Sequence, residues 1–436
     1  MKESDPSVTH PIGFEYSLCH EPLVEYALEL MYLVTGVPFE KGEGRVDAAV
    51  EEDLWVRPRY ASGVFGPWIH YPLSSHWRGL VDLEVQDRSL EIGILDRTAG
   101  QSDWLLSMVW MALRIEEHRA PLDGHGRVDS RSLKAVINRQ EQVPWVHVWA
   151  KSLLSEWGGI PLHHFQPEVE ISVDIDHLLA YAGRSWFHVL LAAGRDFVFF
   201  RWRKVLDRLQ AKGGGADVYD TLNKQKNLWP ESPWRYFALV QLHRNDRDTG
   251  VDVSVERAQN LWRSIDQATG GQLGWHPSTA ASEGMCKGLL HKEFQQINNV
   301  LQRQVDATRF HFLAFSPRDM YPVLAEMGIK HDYSMGFVDT MGWRAGIGVS
   351  YPWFDLSSNR RIDLWVHPFY AMDGHLLYYK KSGSAFEDWF KAAEICAANE
   401  VPFSWVTHWR MFSEQAPEWK GWIEFVKKLQ QWRKQN

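Results

Sequence analysis

An α/β protein is the fold class the sequence predicts: a parallel sheet or barrel preceded by a smaller α+β domain. Three observations lead there. Short apolar runs alternate with longer stretches of helical period after about residue 165. Glycine and proline (Trp157-Gly158-Gly159-Ile160-Pro161, then Pro167) interrupt the chain just before that point. Acidic residues and histidines gather at the ends of the predicted strands, where parallel α/β folds build their sites. The predicted division is therefore 1–160 and 165–436.

In the first part, Pro22 to Thr35 reads as a helix and Leu80 to Leu95 as short strands. Ser102 to His118 reads as an amphipathic helix, with Arg114, Glu116 and Glu117 on its polar side. A turn-rich loop, Pro121 to Arg127, follows it.

In the second part, strands are predicted at Val169–Asp176, Tyr236–His243, Leu273–Ser278, Arg309–Phe315, Asp332–Phe337, Ile362–His367 and Phe403–His408. Helices are predicted at Phe187–Gln210, Val255–Thr269, Glu283–Asp306, Met320–Met327 and Ala385–Glu400. About 270 residues suit one barrel.

Composition narrows the function. At 45% hydrophobic and 23% charged, the chain can bury a large core. A net charge of -8 argues against a nucleic-acid partner. The apolar stretches Leu23 to Phe39 and Phe187 to Trp202 are too short and too charged to span a bilayer. Cys19, Cys286 and Cys396 are odd in number and far apart, without metal-type spacing. No signal-peptide pattern opens the sequence, so a reduced, cytoplasmic protein is expected. The 23 tryptophans fit either sugar stacking or the packing of a core.

The chemistry lies in the strand ends. Asp174 and Asp176 alternate on one strand and so face one side together. Two such carboxylates either cap the following segment or share a bound cation, one as ligand and the other as general base. Histidines at other strand ends (His243, His276, His311, His367, His408) favour the cation, zinc above all, with cobalt or nickel as alternatives. His163 and His164, near the join, read as structural or surface residues; Asp220 and His243 read as possible lining of the mouth.

The order of these motifs resembles the polysaccharide deacetylases of the NodB-homology domain, carbohydrate esterase family four. Ile171-Ser172-Val173-Asp174-Ile175-Asp176 is similar to the first motif, which implies Asp174 as base and Asp176 as metal ligand. Gly274-Trp275-His276-Pro277-Ser278 is similar to the second, implying His276 as ligand. Arg309-Phe310-His311 stands where the third places an arginine that orients the base, and Trp405-Val406-Thr407-His408 resembles the last, whose histidine is the acid. Arg344 is expected to orient a carboxylate.

A less characterised bacterial branch is closer still. Asp217 to Thr221, Asp332 to Phe337, Gly342 to Gly346 and Pro368 to Asp373 carry that likeness, and the 103–118 helix with Asp123 to Arg127 resembles a domain of unknown function that precedes such barrels. The resemblance spans roughly residues 100 to 412 and implies a distorted (β/α)7 barrel.

Two departures matter. The second motif's second histidine, four residues on, is here Ala280, and Ile175 separates the two aspartates. His177, Ser278, His311, His367, Asp373 or water are the candidates to complete the metal or substrate shell. The expected function is metal-dependent deacetylation of an N-acetylated sugar or glycan intermediate. The alternatives are an inactive barrel that binds a glycan or partner, and another metal-dependent C–N hydrolase or lyase.

Overall fold

The computed structural model describes residues 21–41, 53–58, 69–72, 103–157, 168–230, 234–242, 245–252, 254–282, 287–376, 385–413 and 421–435. The predicted strands at 80–95, the 158–167 join with His163 and His164, His243, Cys19 and Cys286 lie outside the described residues. The chain forms two compact units, and the division is not a single cut. Residues 1–118, 143–165 and 345–363 make one; 119–142, 166–344 and 364–436 make the other.

The first unit contains α1 (Glu21–Thr35), a small antiparallel sheet β1 (Phe39–Lys41), β2 (Asp53–Pro58) and β3 (Ile69–Pro72), then α2 (Trp104–Ala112) and α3 (Trp145–Glu156). Asp103 caps α2 by accepting the Leu106 amide. The helix ends early, since Leu113 leaves helical geometry and Arg114 takes φ 53°. Residues 345–363 thread this unit: the Tyr26 hydroxyl donates to the Pro352 carbonyl at 3.0 Å, and the Gly348 amide donates to His147 Nε2 at 3.1 Å.

The second unit runs β4 (Val169–Ile175), α4 (Trp186–Val198), α5 (Trp202–Lys212), β5 (Arg235–Val240), α6 (Glu256–Ala268), β6 (Leu273–Pro277), α7 (Lys287–Leu301), β7 (Ala307–Thr308), α8 (Pro317–Glu326) and β8 (His331–Asp332). β9 (Tyr351–Asp355) and the start of β10 (Arg360–Val366) belong to the first unit, and β11 (Ala371–Met372), α9 (Ala385–Ala398), β12 (Phe403–His408) and α10 (Trp422–Gln435) complete the second. The sheet order is β11-β12-β4-β5-β6-β7-β8-β10-β9, with parallel pairing from β11 through β10. This is a mixed α/β fold around a nine-stranded, mainly parallel sheet.

Strands β4, β5 and β6 are almost wholly buried, as strands covered on both faces must be. Their register aligns the C-terminal ends: Asp174 lies beside His408 and Phe237, and Leu239 beside His276.

In the second unit, three predicted elements differ from the observed ones. No strand forms over 309–315, since β7 ends at Thr308; Phe312 and Leu313 take φ 56° and 52°, and Phe310 stacks on Phe315 with ring centroids 4.8 Å apart. The 332–337 strand ends at Asp332, whose carboxylate accepts both the amide and the hydroxyl of Ser334 and so turns the backbone. The 187–210 helix is two helices, parted where Phe200 takes φ 56°.

Candidate metal centre

The site grows out of β4. Asp174 and Asp176 stand two residues apart at its C-terminal end, and four neighbouring segments bring partners to them. Nε2 of His276, at the end of β6, lies 3.3 Å from Asp176 Oδ1. Nε2 of His311, in the turn after β7, lies 3.6 Å from Asp176 Oδ2, and Nε2 of His408, at the end of β12, lies 3.4 Å from the same oxygen.

Each imidazole is held from behind. His276 Nδ1 makes a short hydrogen bond to the Arg309 carbonyl, which can only accept. His311 Nδ1 bonds Asp248 Oδ1 at 2.8 Å, and His408 Nδ1 bonds Asp373 Oδ1 at 2.7 Å. Asp248 is itself fixed by the Thr279 amide and hydroxyl and by Asn245. Asp373 also accepts the His408 amide at 2.7 Å. On the other side, Arg309 donates Nη1 to Asp174 Oδ1 at 2.9 Å, Nη2 to Ser172 and Nε to the Tyr333 carbonyl. That arginine is 1% exposed, so its charge is matched inside the protein. Gly250 sits where a Cβ would come within 2.7 Å of the Asp176 carbonyl, so the loop carrying Asp248 and Thr249 can press against the site.

Electrostatics and hydrogen bonding agree. Burial opposes ionisation of Asp176, but His311, His408 and His276 outweigh it and hold its carboxyl well below the usual range. Burial likewise disfavours charge on His311, yet Asp176 and Asp248 push it up to about 9. His408, also desolvated, is pushed up to about 10 by Asp373 and Asp176. The carboxylate of Asp176 is thus ionised and faced by imidazoles that carry positive charge.

A metal ion can take the place of that charge. With Nδ1 of His276 and His311 each given to an acceptor, their neutral forms turn Nε2 lone pairs onto a carboxylate. One ligand atom from each of Asp176, His276 and His311 falls within 4.8 Å of the others. Asp176 Oδ1 is buried without a hydrogen bond among the described residues. Two imidazoles, one carboxylate and their outer hydrogen-bond partners fit a divalent first-row metal.

The pocket around these groups holds about 400 Å³. Phe310, Phe312, Leu313, Phe369, Met372 and Val406 supply apolar wall, with Arg127, Arg247 and Arg410 among the polar lining. No tryptophan lines it among the described residues. Trp405 and Trp409, which flank His408, are fully buried, and Trp405 packs edge-on against Trp389 at 4.7 Å.

Of the predicted residues, Asp174, Asp176, His276, Arg309, His311 and His408 meet at this pocket, with Asp373 behind His408. His177 lines it and bonds the Thr249 hydroxyl at 3.0 Å. Three expectations need correction. Ser278 gives its hydroxyl to Glu293 at 2.6 Å instead of to the pocket. His367 stacks on Tyr333 with centroids 4.2 Å apart and pairs with His331, and burial with nearby His331 and Arg235 holds its pKa down to about 3. Arg344 lies over the Phe315 ring and donates to the Gly336 carbonyl, away from the pocket lining. Asp220 is exposed and also outside that lining.

Sequence reasoning missed Asp248, which supports His311, and Arg127, which donates to the Phe312 carbonyl at 3.3 Å. The one signal for Asp248 was the polar run Asn245-Asp246-Arg247-Asp248 soon after β5.

No protein-family profile matches the chain, and no curated protein matches it in sequence. Among solved structures, the chain is similar to a protein from Mycobacterium smegmatis assigned as a polysaccharide deacetylase, at 13% identity and TM-score 0.38, covering 61% of this chain and 85% of the other. It is similar to the PuuE allantoinase at 11% identity and TM-score 0.39, covering 64% and 89%. A protein from Pseudomonas aeruginosa PAO1, also assigned as a polysaccharide deacetylase, gives 12% identity and TM-score 0.38, covering 63% and 90%.

Proposed function

We propose that the chain is a metal-dependent hydrolase that removes the acetyl group from an N-acetylated sugar, with Asp176, His276 and His311 as the ligands of one divalent ion. Zinc suits this donor set best, and cobalt or nickel are accepted by the same ligands. The observation that carries the reading is the flanking of one potential metal triad by a carboxylate tethered to an arginine and an imidazole tethered to a carboxylate.

When bound, the ion supplies Lewis acidity to the acyl carbonyl and to the attacking water. Asp174, oriented by Arg309, takes a proton from that water. His408, kept protonated by Asp373, gives its Nε2 proton to the departing sugar nitrogen. Apolar wall residues such as Phe369 and Met372 exclude solvent around the acyl group.

The inactive-barrel alternative rested on Ala280. His311 offers a second imidazole from a different segment, which supports an active site. The test is acetate release from N-acetylhexosamine oligomers by zinc-loaded protein, beside an Asp174→Asn variant. Release that depends on Asp174 is expected. Release at equal rates from both proteins, or none from either across acetylated sugars, contradicts the reading.

A further inference from the structure

The α4–α5 hairpin places apolar side chains in water to a degree that the rest of the described chain does not. Phe187 is 72% exposed, Leu191 65%, Val198 67%, Phe200 79% and Leu206 66%. Phe197 and Phe200 also meet Trp202, with ring centroids 4.5 and 6.4 Å apart, and exposed apolar surface of this kind marks an interaction site.

The hairpin is well built. Ser185 caps α4 by accepting the His188 amide. At the tip, Arg201 N donates to the Asp196 carbonyl at 2.8 Å and Phe200 N to the Phe197 carbonyl at 3.0 Å, closing a Schellman motif. Asp196, nearly buried, ties the helices together through Arg208 at 2.9 Å and Arg201 at 3.6 Å. At the base, Asp217 accepts the amides of Ala180, Tyr181 and Ala182, and Lys212 Nζ donates to the Arg184 carbonyl. The apolar face is thus held outward by a fixed frame.

The tip residue is informative. Phe200 occupies the left-handed position that closes a Schellman motif, where glycine carries no steric penalty. A phenylalanine there strains the backbone in order to place an aromatic ring in solvent.

Charge identifies the occupant. Residues 184–212 carry seven basic side chains (Arg184, Arg195, Arg201, Arg203, Lys204, Arg208, Lys212) against Asp196 and Asp207, a local charge of +5 in a chain of -8. Exposed Trp, Phe and Leu bordered by Arg and Lys match a helix that lies in the headgroup region of an anionic bilayer. The helices have 13 and 11 residues, and no described helix is long and apolar enough to cross a membrane. We propose that the α4–α5 hairpin docks this protein onto anionic lipid bilayers, lying in the interface without spanning it.

The hairpin begins ten residues after Asp176. A second cavity of about 400 Å³, lined by Arg184, Ser185 and His188, shares His177 and Thr249 with the metal-centre pocket. Docking would therefore present the pocket to sugars carried on a lipid; that consequence rests on the hydrolase reading, whereas docking does not.

The test is flotation of the full chain with vesicles of phosphatidylcholine and phosphatidylglycerol (3:1), with phosphatidylcholine alone as control. A variant carrying Phe187→Glu and Phe200→Glu is run beside it; both positions are solvent-facing, so its circular dichroism and metal content should match the parent. Binding to the anionic vesicles only, weakened at least tenfold in the variant and by raised salt, is expected. Three results overturn the proposal: no preference for anionic vesicles, equal binding by the variant, or a dimer by light scattering that the variant abolishes while vesicles capture neither form.

Discussion

His311 gives its Nδ1 hydrogen to Asp248 at 2.8 Å, and this bond aims Nε2 at Asp176. His311 thereby stands beside Asp176 as a second imidazole next to His276, while the position four residues beyond His276 is Ala280. Asp248→Asn weakens the bond and releases the ring. Metal affinity should fall about 10- to 100-fold, read by competition with a chelating dye. Unchanged affinity would remove Asp248 from the site's support.

Arg309 and Asp174 form a buried pair with side chains 1% and 7% exposed. Arg309→Met leaves the carboxylate without its cation and should cost about 3–5 kcal/mol in chemical denaturation. Adding Asp174→Asn should return a large part of that loss, since the stranded charge is then gone. Strict additivity of the two changes would show that the pair is not coupled.

Asp373 and His408 should affect turnover without affecting metal content. Asp373→Asn deprives the imidazolium of its charged partner, and His408→Asn removes the proton donor. Acetate release should drop about 10²- to 10⁴-fold in the His408 variant, with the Asp373 variant in between. Loss of metal from either protein would instead assign them a ligand role.

The first unit carries a pH-dependent element of its own. Burial, with help from Lys151, pushes His147 down to about 3, and its Nε2 accepts the Gly348 amide. The unfolded chain, with an ordinary imidazole near 6.5, takes up the proton first as pH falls. Stability from this group is therefore level above about pH 7 and declines from about 6.5 toward 3, by on the order of 2 kcal/mol at pH 5. His147→Gln keeps an acceptor and does not titrate, so its denaturation midpoints should depend less on pH. An equally steep profile in the variant would place the titration elsewhere.

Much of this site was legible because strand ends are legible. Buried apolar runs fixed β4, β5, β6 and β12 within a few residues, and the polar residues closing three of those runs (Asp174, Asp176, His276, His408) do converge. His311 was visible only as one candidate among several, because the turn that aims it depends on Phe312 and Leu313 in left-handed geometry, which no residue pattern announces. His367 and Arg344 looked equivalent to it by position, yet aromatic stacking and a backbone carbonyl occupy them. Asp248 was hidden in a polar loop, since pairing to a histidine 63 residues away leaves no local trace.

Metal content decides most directly whether Asp176, His276 and His311 form a metal centre. Protein purified without chelator and then offered zinc, cobalt or nickel should retain about one ion per chain by elemental analysis, while His311→Ala and Asp176→Ala should retain almost none. A parent protein that stays metal-free after this loading, or a His311→Ala variant that holds the ion as tightly as the parent, would contradict the account.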